Sequence, residues 1–244
     1  VKPTTRAAAL SEALTDSGDD PLNGGPSAGR LPARLGEGLN FDALSSSALP
    51  PAETRLAAKA RSGLRDGSLA PTRGGGPHHV TASCLLLSRA APTLSAPTPL
   101  ASTAETASSA EPGSGRRYVA LGLHTRSGQW RQFGGHLEAE DVDLRAAAMR
   151  ELHEEAGVDA ASPQVWFSRS PLAVRTFTVG TQACASHLDV LYAAAADHRH
   201  PLIATDAGVS EVAWWSVDAL PHDAAQDLRA DLSTFLQRMD VLGR

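Results

Sequence analysis

Apolar positions recur along this chain with two different periods, and the changes between them mark its elements. His79 to Ser88 (HVTASCLLLS) is β-branched at its start and apolar at its end, which predicts a strand. In Arg117 to His124 (RYVALGLH), Val119, Leu121 and Leu123 share a bulky apolar face. Tyr118, Ala120 and Gly122 share the other, which carries no charge, so this strand is predicted to be central. Gly122 marks a bulge or a close approach on its side. Further on, about Leu144 to Ala156 has helical spacing and stops at Gly157. Val165 to Val179 reads as one or two strands around Pro171, and His187 to Ala195 and Glu211 to Val217 as one strand each. Asp223 to Val241 repeats Leu228, Leu232, Phe235 and Met239 at helical intervals and predicts a closing amphipathic helix. Strands mixed with helices in this order imply an α/β fold, a mixed sheet between helical layers.

Two stretches lack this patterning. Residues 1–77 are rich in Ala, Gly, Pro, Ser and Asp, with helical spacing only around Thr5–Leu14 and around Ala52–Leu64, where Leu56, Ala60 and Leu64 align. They are expected to form a partly helical or disordered N-terminal extension. Residues 89–116 hold almost no bulky apolar side chain, so they bury too little surface to offset ordering entropy. Strand-like sequence resumes directly after them, so they are expected to be a flexible insertion within a domain spanning 78–244.

Composition narrows the function classes. Of the 244 residues, 42% are hydrophobic, but many of those are alanines that bury little. The formal net charge of −5 argues against a stable nucleic-acid complex, while a bound metal would still allow a phosphate-bearing small substrate. Lys2 and Lys59 are the only lysines in an otherwise Arg-based, Ala-rich chain, the coding bias of a GC-rich bacterial genome. Cys84 and Cys184 fit neither a metal-ligand spacing nor a disulfide framework and read as buried free thiols of a reducing cytosol. No apolar run is long enough for a membrane span and no basic-then-apolar leader is visible, so a cytoplasmic location without membrane association is expected.

The chemistry is concentrated in Gly134 to Val158 (GGHLEAEDVDLRAAAMRELHEEAGV). At about 100° per residue, Glu151, Glu154 and Glu155 fall within about 100° of arc. Ala148, Met149, Leu152 and Ala156 form a separate apolar stripe beside them. Like charges at such spacing cost roughly a few tenths of a kcal/mol per pair, and the nearby helix C-terminus favours cations. A solvated acidic face is one explanation. Compensation by Arg150 and by a hard divalent cation with oxygen ligands is the other. Gly134-Gly135 can bring a backbone carbonyl to the same cation.

These residues resemble the Nudix box, G-x5-E-x7-R-E-U-x-E-E-x-G-U with U a bulky aliphatic. Gly135, Arg150, Glu151, Leu152, Glu154, Glu155, Gly157 and Val158 match it. Asp141 stands at the middle acidic position, with one extra residue between it and Arg150. HHVTAS, LGLH, QWRQFGGH, HLDVLY and WWSVDALP also resemble a bacterial branch of the family, so the likeness spans about His79 to Gly243. The resemblance implies a Nudix-type α/β/α sandwich with a mixed β-sheet, preceded by the irregular extension. It implies a pyrophosphohydrolase acting on a nucleoside diphosphate linked to another moiety. Mg2+ or Mn2+ would be held by the Gly135 carbonyl, Glu151, Glu154 and Glu155. The catalytic set would be Glu154, Glu155, Arg150 and Glu211. Within it Arg150 orients the glutamates, and the base is a box glutamate, Asp206 or Glu211. His136 and Trp130 are candidates for substrate contact. His78-His79 and His198/His200 read as surface residues, and a homodimer is compatible with the sequence. Two other readings are a nucleotide-sensing, non-catalytic Nudix-fold binding module and a diphosphate isomerase on the same fold. The first typically has eroded glutamates, which are intact here. The second needs extra metal-binding histidines and a catalytic cysteine, and Cys84 has no evident partner.

Overall fold

The computed structural model describes residues 49–89, 117–181 and 184–242. The predicted helix near Thr5 and all but the first residue of the expected insertion 89–116 lie outside the described residues.

Among these residues, eight strands form one mixed sheet. Strand β1 (His78–Ser88) is its axis and runs parallel to β7 (Ser186–Ala196) along its whole length. On its other side, β1 pairs first with β4 (Phe133–His136) and then with β2 (Tyr118–His124), both antiparallel. β2 pairs with β1 at Leu86 and Leu87, and in the stretch of β1 before them the segment formed by β3 (Gln129–Arg131) and β4 lies between the two strands, β3 against β2 and β4 against β1. β8 (Val209–Ser216) borders β2, while β5 (Trp166–Phe167) and β6 (Ala173–Thr178) pair with β7. Strands β3 and β4 are too short to carry a periodic signal, and β4 is half glycine.

Alternation along β1 sorts the core into two layers. Val80, Ala82, Cys84 and Leu86 face a layer with Leu144, Ala148 and Leu152 of helix α2 (Leu144–Ala156). Helix α1 (Pro51–Asp66) adds Ala57 and Ala60 to that layer. Leu85 and Leu87 face helix α3 (Gln226–Leu242), which buries Leu228, Leu232 and Phe235. The result is the expected α/β/α sandwich. Helix α1 begins on Pro51 and ends at Gly67 in the left-handed region (φ 79°), two residues past the predicted end. Its Glu53 accepts the Val174 N–H (2.9 Å) and an Arg238 hydrogen bond (2.8 Å). Residues expected in the extension are thus joined to the sheet and to α3. Among the described residues, no helix is long and apolar enough to cross a membrane.

Candidate active site

Helix α2 starts and stops where its sequence directs. Asp143, in extended conformation, accepts the Ala146 N–H at 2.7 Å as N-cap. Gly157 takes φ 68° and closes the C-terminus by donating its N–H to the His153 carbonyl. The loop before β8 covers two of the remaining C-terminal carbonyls, with the Ile203 N–H on Ala156 O and the Thr205 hydroxyl on Glu154 O. That seating brings Asp206 toward the helix end.

Gly134 and Gly135 lie in strand β4, where β1 closes on the first and α2 on the second. A Cβ on Gly135 would stand 2.6 Å from Glu151 Oε1. Gly134, at φ 155°, would drive a Cβ to 2.4 Å from the Ser83 Cβ, and its N–H donates to Glu155 Oε2 at 2.8 Å. Glu151 and Glu155 are 8% and 6% exposed, whereas the Glu154 side chain is 43% exposed. Burial pushes Glu151 up to about 7 against the pull of Arg150. Burial likewise pushes Glu155 up to about 8, against the Gly134 N–H and with the help of Glu151, Asp206 and Glu154. Two buried carboxylates facing a glycine backbone form an all-oxygen donor set fitted to a hard divalent cation.

Arg150 holds this set in place. Its Nε and Nη2 donate to Asp141 (3.1 and 3.0 Å) and Nη2 also to the His136 carbonyl (2.9 Å). Its Nη1 donates to Glu151 (3.0 Å) and Glu154 (2.7 Å). All five guanidinium donors are engaged within the chain, which leaves Arg150 none for a further partner. Asp141, 5% exposed, also accepts the Glu138 N–H at 2.8 Å. The extra residue after Asp141 is absorbed before the Asp143 cap, and the Asp141–Arg150 pair forms despite it.

The other candidates separate. Glu211 pairs with Leu123 and shares the face of Ala213 and Trp215, the α3 side of the sheet, away from the glutamates. The register is unbroken from Ser216 to Glu211 and shifts only before it, between Leu123 and His124, where His124 pairs with Val209. Trp130 is 5% exposed and packs edge-on against Trp215 at 5.2 Å in the α3-side core, where it cannot stack on a ligand. His136 is on a strand and points to the face opposite Gly135. His79, expected at the surface, is fully buried. Cys84 is also fully buried, and burial pushes its thiol up, so it is a packing residue without the thiolate an isomerase would need. His124, at the end of β2, also reaches the glutamates. Its Nδ1 lies 4.0 Å from Glu155 Oε1, and burial pulls its pKa down. A cavity of about 460 Å3 bordered by Ser88, Arg117 and Met239 lies at the far end of β1 and holds none of the box carboxylates.

An α/β/α sandwich whose sheet presents two glycines to a helix of buried glutamates defines a class, the phosphoanhydride hydrolases built around such a helix. The chain belongs to the NUDIX family, whose NUDIX-domain model matches residues 115–239, just over half of its length. It is therefore a hydrolase acting on phosphoanhydride bonds, in a family that generally uses divalent metal ions. A NUDIX-family hydrolase from Clostridium perfringens is 17% identical over 67% of this chain and 97% of its own, with a TM-score of 0.45. The NUDIX domain of Shewanella oneidensis NrtR, solved with ADP ribose, is 17% identical over 66% of this chain and 87% of its own, with a TM-score of 0.45. A C. elegans Ap4A hydrolase is 12% identical over 66% and 94%, with a TM-score of 0.43. No curated protein matches the chain.

Proposed function

We propose that this chain hydrolyses the pyrophosphate of a nucleoside diphosphate linked to another moiety, with Mg2+ or Mn2+ held by the Gly135 carbonyl, Glu151, Glu154 and Glu155. The observation that carries the reading is the cradle at Gly135. A side chain at position 135 would push the Glu151 carboxylate aside, and two carboxylates are kept there out of water. When bound, the cation neutralises charge developing on the phosphates and acidifies water. The chain's own groups do the rest. Arg150, anchored by Asp141, orients Glu151 and Glu154. Asp206, whose charge acts on Glu155 and His124, accepts a proton from the attacking water. The water oxygen bonds to phosphorus, the bridging P–O bond breaks, and the products are a nucleoside monophosphate and the phosphorylated second moiety. Asp206 replaces Glu211 in this role because Glu211 points through the wrong face. The hydrolase domain is assigned to residues 78–244, with α1 packed upon it.

The test is a panel of dinucleotides and nucleotide sugars assayed for magnesium-dependent release of nucleoside monophosphate. Glu155→Gln is expected to abolish turnover. Asp206→Asn is expected to lower kcat by about 10²- to 10⁴-fold. Wild-type activity in Glu155→Gln would refute the site. Tight binding without turnover by the native chain would return the nucleotide-sensing module.

A further inference from the structure

The face of the sheet opposite the glutamates carries a second cluster of donor atoms. His79 and His187 stand in register on the parallel strands β1 and β7. His136 lies on β4 across the other edge of β1, opposite Thr81. Three adjacent strands therefore place three imidazoles on one face, with ring centroids 4.8, 4.8 and 5.0 Å apart. Cys184, 2% exposed, enters from the turn before β7 and sets Sγ 3.9 Å from His136 Nε2. One ligand atom from each of the four residues lies within 4.8 Å of all the others.

The hydrogen bonding points these atoms at a ligand. His79 is 0% exposed, and its Nδ1 is 2.8 Å from the Gly76 carbonyl, which can only accept. The proton of the neutral ring therefore sits on Nδ1, and the lone pair on Nε2 faces the cluster with no partner among the described residues. A backbone carbonyl orienting the distal nitrogen is the usual support of a metal-ligating histidine. His187 Nε2 is buried and unpartnered as well.

We infer that His79, His136, His187 and Cys184 form a closed tetrahedral site for a zinc-type transition metal, separate from the all-oxygen site on the other face. Three imidazoles and a thiolate suit zinc and exclude magnesium by softness. Bond lengths of about 2.0–2.3 Å place tetrahedral donors roughly 3.3–3.7 Å apart, so the side chains need contract by only about 1 Å. Four protein ligands leave no position for a reacting water, so the site is structural. It clamps β1, β4 and the start of β7 directly behind Gly135, and so stiffens the strand that carries the carbonyl of the first site.

Cobalt titration of the reduced, metal-free full chain tests this. One equivalent is expected to give the intense visible bands of tetrahedral cobalt and a near-ultraviolet thiolate-to-cobalt charge-transfer band. Cys184→Ser should lose the charge-transfer band, and His79→Gln the tetrahedral spectrum. Both features should persist in Glu151→Gln and Glu154→Gln, and zinc should displace the cobalt where magnesium does not. A weak octahedral spectrum from the native chain, or bands lost with the glutamates but kept in Cys184→Ser, would overturn the site. The native spectrum decides even where a ligand variant fails to fold.

Discussion

Arg150 sits one residue before Glu151 and about one turn before Glu154, the glutamates it steadies, and it has little freedom of its own. Its side chain is 19% exposed and faces an Asp141 side chain that is 4% exposed. Removing one partner of such a pair leaves the other charge poorly solvated, which costs more than the pair itself contributes. Asp141→Ala is therefore expected to destabilise the chain by about 2–4 kcal/mol, seen as a lower denaturant midpoint at unchanged m-value. A loss within about 0.5 kcal/mol, the usual range for surface substitutions, would show that Asp141 does not anchor Arg150. The same residue answers a question its sequence position raised. The spacing from Asp141 to Arg150 departs from the family pattern, yet a loop tolerates one more residue as long as both charged ends meet.

At the scale of elements, helix α2 depends on neighbours distant in sequence. Its C-terminal carbonyls have no partners within the helix, and the loop before β8 supplies them through Ile203 and Thr205. That contact is also what delivers Asp206. Thr205→Val removes the hydroxyl donor while keeping the branched shape, so the loop should loosen without disturbing the glutamates. We expect kcat to fall by about 10- to 100-fold, the effect of a misplaced reacting group, with the magnesium-induced thermal shift preserved. If both fall together, the loop supports the cation site itself and not the base.

For the molecule as a whole, the two buried glutamates link stability to pH. Their pKa values in the folded chain, about 7 for Glu151 and about 8 for Glu155, exceed the ordinary value of 4.5. Between about pH 4.5 and pH 8 the unfolded chain has released protons that the folded chain still holds. Without divalent cation, stability from these groups therefore falls as pH rises through that window and levels above it. A cation binds the deprotonated carboxylates, so its stabilising effect must grow over the same range. Thermal melts with and without magnesium should diverge from pH 6 to pH 9, and parallel curves would show that the cation does not engage Glu151 and Glu155.

Local sequence determined what depends on neighbours in the chain. Helix α2 was legible to the residue, because Asp143, the apolar stripe and Gly157 specify its start, its face and its end within one segment. The clustering of Glu151, Glu154 and Glu155 followed from helical geometry alone, and the family resemblance from their spacing. The long strands were legible from period-two patterning to within one or two residues at most ends. Tertiary structure decided whatever depends on pairing between distant segments. Strand β4 exists only because β1 offers it an edge, so Gly134 and Gly135 give no strand signal of their own in the sequence. Side chains alternate across a strand, so the pairing of Glu211 with Leu123 put it on the far face, while the loop before β8 brought Asp206 toward the glutamates. Trp130 was a candidate ligand contact until Trp215 packed against it. His79, His136, Cys184 and His187 have no common spacing in the sequence, and only the parallel register of β1 with β7, beside β4, brings their donor atoms onto one face.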